Sequence, residues 1–286
     1  MTSEALDDSL LQQWVGKTET VSARVNAVTA NALAATLDRP DHFDTGAGLP
    51  PLWHWAYFWH TAPQSELGPD GHPRRGGFLP PVPLPRRMWA GGRLTFSRPL
   101  QVEGDAARSS QVKSVSSKHG ATGPLVFVTV RHELAQEGDI CVTEEHDIVY
   151  REMPQPGAAA PAPKMAPAEA AWERTIVPDP VLLFRYSALT FNGHRIHYDR
   201  SYATEVEGYP GLIVHGPLIA SLLLDLVRRE RPAAAVTAFS FRAVQPLFDI
   251  HRFSVCGRVE PDGHTITLWA KTHDGQLAMR AEALLA

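Results

Sequence analysis

The chain has 286 residues, 44% of them hydrophobic and 20% charged, with a net charge of −4. These values fit a soluble globular protein of two domains of about 140 residues each. They argue against a general nucleic-acid binder, which carries a basic excess. No apolar run approaches the ~20 residues of a membrane span. The acidic start, Met1 to Asp8, lacks the basic and apolar regions of a secretory leader. A cytoplasmic setting with no membrane partner is therefore expected.

In chain order, an amphipathic helix is expected over roughly Leu10 to Gly16. An aromatic segment follows, Leu52-Trp53-His54-Trp55-Ala56-Tyr57-Phe58-Trp59. It reads either as core or as the wall of a ligand tunnel. Arg74, Arg75, Arg86 and Arg87 then place four guanidinium groups in fourteen residues, in a segment stiffened by prolines 80, 81, 83 and 85. Such a stretch is either a solvated basic loop or a shaped site for phosphate, which arginine binds bidentately. Gly92 to Phe96, Ala107 to Ser117, Gly123 to Glu133 and Ile140 to Tyr150 are antiparallel strand candidates. Cys141 and Cys256 show no ligand spacing and read as buried thiols.

Residues 154–168 contain five prolines and little that could join a core, so a semi-rigid linker is expected there. It separates an N-terminal domain, 1–153, from a C-terminal domain, 169–286. In the second piece Trp172 to Thr175 lead into the apolar run Val181-Leu182-Leu183-Phe184 and then a polar turn. Asp199 is placed to cap a short helix over Arg200 to Glu207 that stops at Gly208. Leu218 to Val227 predicts a buried helix, and the arginines at its end suit the negative pole of the helix dipole. Strands follow at Val236 to Phe241, Phe253 to Val259, His264 to Thr272 and Leu277 to Leu284, with turn signals between them. A buried helix followed by antiparallel strands that wrap it is a hot-dog layout. The similar element order of the first piece predicts an α+β double hot dog, two antiparallel sheets each wrapped around a central helix.

The polar turn carries the chemistry. Asn192 and His197 stand five residues apart, and His215-Gly216 opens the buried helix. Histidine is the side chain best suited to take and return a proton near neutral pH. An amide cannot act as a base but can hold a water. The first N–H groups of a helix have no intrahelical acceptor and sit in positive potential. An acid/base imidazole beside such a donor suits addition of water to a double bond conjugated to a thioester. His194 is either a substrate contact or a turn-stabilising group. His215 reads mainly as a local fixing group, with substrate contact as its other role. Asp199 reads mainly as a helix cap, with orientation of His197 as its other role. A metal site among the histidines is not favoured, since no Cys or carboxylate stands at ligand spacing.

The stretch Leu-Thr-Phe-Asn-Gly-His-Arg-Ile-His-Tyr-Asp, with Val214-His215-Gly216 downstream, resembles the MaoC-like (R)-specific enoyl-thioester hydratases. In their usual motif, Gly-Asp-x-Asn-Pro-(Ile/Leu)-His, the aspartate position is held here by Asn192 and the histidine by His197. His194 and Arg195 occupy the asparagine and proline positions. The segment from Gly68 to Gly92 is similar to one branch, which holds mitochondrial hydroxyacyl-thioester dehydratases of type two and mesaconyl-C4-CoA or itaconyl-CoA hydratases. The resemblance implies a homodimeric double hot dog that acts on an acyl-CoA without metal or redox cofactor, coenzyme A being part of the substrate. It implies His197 as the acid/base, Asn192 as the water holder and the Gly216 N–H as the oxyanion donor. His194, His215, Arg86, Arg87 and Trp89 are the substrate-binding candidates. The imidazole then acts alone, or a group elsewhere supplies the missing carboxylate. A (3R)-hydroxyacyl-thioester dehydratase of fatty-acid synthesis, an inactive acyl-thioester-binding subunit and a hot-dog thioesterase stay open as other readings.

Overall fold

The computed structural model describes residues 7–120, 123–153 and 162–286. Each half contributes five antiparallel strands. The first half holds β1 (Thr18–Arg24), β2 (Arg86–Phe96), β3 (Asp105–Gly120), β4 (Gly123–Gln136) and β5 (Asp139–Arg151). The second holds β6 (Trp172–Ile176), β7 (Val236–Ala243), β8 (Phe253–Val259), β9 (Thr265–Thr272) and β10 (Leu277–Leu285). The order within the first half, β1-β3-β4-β5-β2, is repeated in the second as β6-β8-β9-β10-β7. Pairing of β2 with β7, Gly92 opposite Phe241, joins the halves into one ten-stranded sheet. The architecture is the expected α+β double hot dog.

The helices repeat less faithfully. In each half the first strand runs into a ten-residue helix, α2 (Ala27–Thr36) after β1 and α3 (Pro180–Leu189) after β6, and these two pack together. Asn26 and Asp179 start them by accepting hydrogen bonds from backbone N–H groups of the first turn. In the second half α4 (Gly216–Glu230) follows, with Leu218 to Val227 buried and the helix lying against β6, β8, β9 and β10. At the corresponding place in chain order the first half has only short 3-10 turns, at Trp53–Ala56 and Gln64–Glu66. The first half therefore lacks a long central helix, and the space beside its sheet is open to the site.

The N-terminal helix is shorter than expected, Asp8–Gln12, and starts on an Asp7 cap. Trp172 to Ile176 is a full edge strand, and the apolar run at 181–184 lies in α3 with Val181 and Phe184 exposed. Of the expected linker, residues 154–161 lie outside the described residues. Its end is tied to the β9–β10 turn, where Leu277 N–H donates to Lys164 O at 2.7 Å and Ala166 N–H to Gly275 O at 3.0 Å.

Candidate active site

The polar turn hangs from the end of α3. Asn192 N–H donates to Ser187 O at 2.8 Å, and its side-chain oxygen accepts from His194 N–H at 3.0 Å. That short loop of hydrogen bonds aims the chain into a single 3-10 turn, Arg195–His197. One acceptor lone pair of Asn192 is thus committed to the backbone, and the residue lines the cavity. His197 is 7% exposed, and its Nδ1–H donates to Ile213 O at 2.7 Å. This bond fixes the tautomer and leaves Nε2 as a free acceptor. Burial lowers the His197 pKa to about 4, against the Ile213 hydrogen bond, which raises it. The ring is therefore neutral at ordinary pH.

His215 does not take the substrate-contact role expected of it. It is fully buried, stacks on His197 with ring centroids 3.8 Å apart, and shares a 2.8 Å hydrogen bond with Ser187 Oγ. It backs the His197 ring and does not line the cavity. Asp199 likewise does not orient His197. One carboxylate oxygen accepts from Tyr202 N–H at 3.1 Å and the other pairs with Arg195 at 2.7 Å, so it caps the next turn. Gly216 starts α4 on the cavity wall, and a side chain added there would meet open space. Its N–H has no protein acceptor among the described residues, as an oxyanion donor requires.

The carboxylate absent from the second half arrives from the first. The loop Gly68-Pro-Asp-Gly-His docks backbone to backbone on the polar turn: Arg195 N–H donates to Asp70 O at 2.9 Å, and Arg195 Nη1 to Pro69 O at 3.0 Å. Gly71 and Gly193 make this approach possible. A Cβ on Gly71 would lie 2.0 Å from Gly193 O, and Gly71 also has φ +86°. Asp70 Oδ2 accepts from His72 Nδ1 at 3.0 Å, and the His72 ring centroid is 4.1 Å from that of His194. His194 in turn meets His197 edge-on at 5.4 Å. Burial works to raise the Asp70 pKa, but the hydrogen bonds and charge of His72 outweigh it and hold the carboxylate below its usual range. Burial, then the neighbouring His72 and His197 charges, holds His194 far below its ordinary value. The sequence had shown this loop as a family feature without assigning it a catalytic role. Asp70, His72 and His194 also bring ligand atoms within 4.8 Å of one another.

Comparison with known proteins places this geometry. The profile of hydroxyacyl-thioester dehydratase type 2 matches residues 52–249. The chain belongs to that family. It is 50% identical over 272 residues to a mesaconyl-C4-CoA hydratase of Chloroflexus aurantiacus, covering 94% of this chain and 95% of the relative. It is 27% identical over 233 residues to the mitochondrial hydroxyacyl-thioester dehydratase type 2 of Schizosaccharomyces pombe, 73% of this chain and 77% of that one. Among solved structures, a MaoC-like dehydratase from Phytophthora capsici superposes with a TM-score of 0.73 at 13% identity, covering 98% of each chain. A Mycobacterium tuberculosis protein described as a double hot dog superposes at 0.55 and 14% identity, covering 95% of this chain and 96% of that one. Like its named relatives, this family member is a hydro-lyase.

The remaining candidates of this hydro-lyase divide by what already holds them. A cavity of about 2370 Å³ runs between the halves and takes in both the histidine cluster and the first-half sheet. Arg86 is not available to a phosphate: it donates to Glu207 O at 2.9 Å, lies 3.4 Å from the Glu207 carboxylate and covers the Tyr209 ring. Arg75 is equally committed, to the carbonyls of Val82, Leu84 and Pro85. Arg87 lines the cavity beside Tyr150, with no ion-pair partner among the described residues. Trp89 also lines it, packed 4.9 Å from Trp55 and 4.0 Å from His146 between ring centroids. The aromatic run is split between both expected roles, with Trp53 in the core and Trp55, Phe58 and Trp59 on the cavity wall.

Proposed function

We propose that the protein catalyses the reversible hydration of mesaconyl-C4-CoA. The observation that carries this reading is a free imidazole nitrogen and a free helix-start N–H on one cavity wall. They occur in a chain half identical, over nearly its whole length, to a mesaconyl-C4-CoA hydratase. The thioester oxygen accepts from Gly216 N–H, and Asn192 donates from its amide nitrogen to a water. His197 Nε2 takes one proton of that water as its oxygen bonds to Cβ. The π pair moves through Cα to the thioester oxygen, giving an enolate held at Gly216. The imidazolium then returns its proton to Cα, so H and OH have been added and the ring is neutral again. With its pKa held to about 4 by burial, a protonated His197 is a ready donor. The Asp70 carboxylate fixes His72 against His194 and offsets the transient cation with negative charge nearby. Dehydration runs the same steps in reverse.

Two further features support a short, polar acyl-CoA. The wall of the first half carries Arg108, His132 and His146 among its aromatic and aliphatic residues, polar groups that a short polar acyl group would meet. At the second half's side of the cavity, Arg242 and Arg280 are paired across β7 and β10 with no carboxylate partner among the described residues. Like charges placed opposite each other repel, and the phosphates of coenzyme A would relieve that repulsion. Every catalytic group comes from one chain, so the expected homodimer is not needed to complete the site. No described helix is long and apolar enough to cross a membrane.

The test follows the enoyl-thioester absorbance of purified protein with mesaconyl-C4-CoA and crotonyl-CoA. Loss of the band is expected with both and fastest with mesaconyl-C4-CoA. No turnover of these or of longer enoyl-CoAs refutes the reading.

A further inference from the structure

Mesaconyl-C4-CoA is crotonyl-CoA with a carboxylate on Cβ, the carbon that water attacks. A group that recognises this carboxylate must therefore lie beside the acid/base imidazoles. One end of the first-half sheet meets that requirement. Arg87 on β2 and Tyr150 on β5 are direct register partners, so their side chains share a face with Cβ atoms about 5 Å apart. Both line the cavity. Tyr150 is 0% exposed, yet its hydroxyl has no hydrogen-bond partner among the described residues. Arg87 is half-buried, with its guanidinium beside the Tyr150 hydroxyl and no carboxylate paired with it among the described residues, while its neighbours Arg75 and Arg86 are held by backbone carbonyls and by Glu207. The Arg87 charge reaches the histidine cluster, where it adds to burial in lowering the pKa of both His72 and His194. A buried phenol and a guanidinium side by side, with no anion beside either, are costly unless a ligand acceptor meets them.

We infer that Arg87 and Tyr150 form the subsite that binds the Cβ carboxylate of the acyl group, and so select a dicarboxylic substrate. This assignment rests on the hydratase reading above and replaces the expectation that Arg87 holds coenzyme A phosphate. The experiment measures kcat/KM for mesaconyl-C4-CoA and for crotonyl-CoA, which lacks only the carboxylate. It compares wild type with Arg87→Met, Arg87→Lys and Tyr150→Phe. The preference for mesaconyl-C4-CoA is expected to fall about 10²-fold in Arg87→Met, as for a desolvated charge pair that loses one partner. It is expected to fall about tenfold in Tyr150→Phe, which removes one hydrogen bond and little volume. Arg87→Lys, which keeps the charge without the fork, falls between wild type and Arg87→Met. If both substrates decline in step, so that the preference stays within about 3-fold of wild type in Arg87→Met and Tyr150→Phe, the assignment is overturned. A wild-type enzyme that hydrates crotonyl-CoA but shows no preference for mesaconyl-C4-CoA also overturns it, and leaves the hydratase activity standing. A wild type inert to both substrates removes the hydratase reading itself, and the assignment falls with it.

Discussion

Replacing Gly71 by alanine tests whether the first-half loop completes the active site. The new Cβ would lie 2.0 Å from Gly193 O and 3.0 Å from its carbonyl carbon. Restoring an ordinary contact of about 3.5 Å requires the two loops to part by about 1.5 Å. Both are backbone, so no side chain can swing aside. The movement would carry Asp70 and His72 away from His194. A misplacement of about 1 Å at a catalytic centre costs on the order of 10²-fold in rate. The positive φ adds a strain of about 1–2 kcal/mol, and Gly76→Ala isolates that part. Gly76 has φ +92°, but an added Cβ there meets only Pro81 Cβ at an ordinary 3.6 Å. Thermal melting and steady-state hydration of an enoyl-CoA are measured on both variants. The expected result is a loss of melting temperature in both, larger in Gly71→Ala because the loops must part, with kcat lowered about 10²-fold in Gly71→Ala alone. Equal activity in the two variants would show that the docked loop has no part in the chemistry.

Three other expectations follow from the same geometry. His197→Ala should lower kcat at least about 10²-fold in a direct rate assay, the usual worth of a general acid/base; near-normal turnover would remove His197 from its role. Asn192→Asp should keep measurable activity, since a carboxylate can still accept from His194 N–H and provides the residue that the wider family commonly uses; a folded but inactive variant refutes this. Because burial holds His197 to about 4, its acceptor form persists as the pH falls from neutral and is lost only on passing through about 4. The acid limb of kcat/KM should lie near that value, and a limb near 6.5 contradicts the burial argument. The same depression has a thermodynamic counterpart. An unfolded chain takes up the proton at about 6.5, so stability from the neutral ring is full above that pH and declines toward 4. Melting temperature should decline over that interval, and less so in a His197 variant.

The parts of the fold legible in sequence were those with a strong period or a long apolar run. The helix at Leu218 to Val227 and the eight strands β2–β5 and β7–β10 were of this kind, with ends displaced by a few residues. Strand β1 gave no such signal. Its inward positions are Glu19, Val21 and Ala23, an edge strand with hardly any apolar alternation. Helix α2 is alanine-rich around its whole circumference and has no apolar stripe. Its one local cue was the Asn26 cap ahead of Ala27. The site shows the same divide. His197 and Gly216 were visible because the motif turn and the helix start are neighbours in sequence. Asp70 and His72 were not, because their place depends on a contact between loops 126 residues apart. The Gly71–Gly193 approach that creates it has no local signature beyond a glycine in each turn. Arg86 and Arg87 looked equivalent in sequence. Only the tertiary position of Glu207 separates the one that braces the halves from the one left open.

The junction of β2 with β7 has a consequence for how such an enzyme can change. Two like units that would otherwise meet as separate subunits are covalently joined. Dilution cannot take such a pair apart, and a substitution in one unit is not copied into the other. One unit can thereby do without a long helix and serve as a pocket wall, while its counterpart keeps the Gly216 N–H at a helix start. In a symmetric pair the same loss would have removed both.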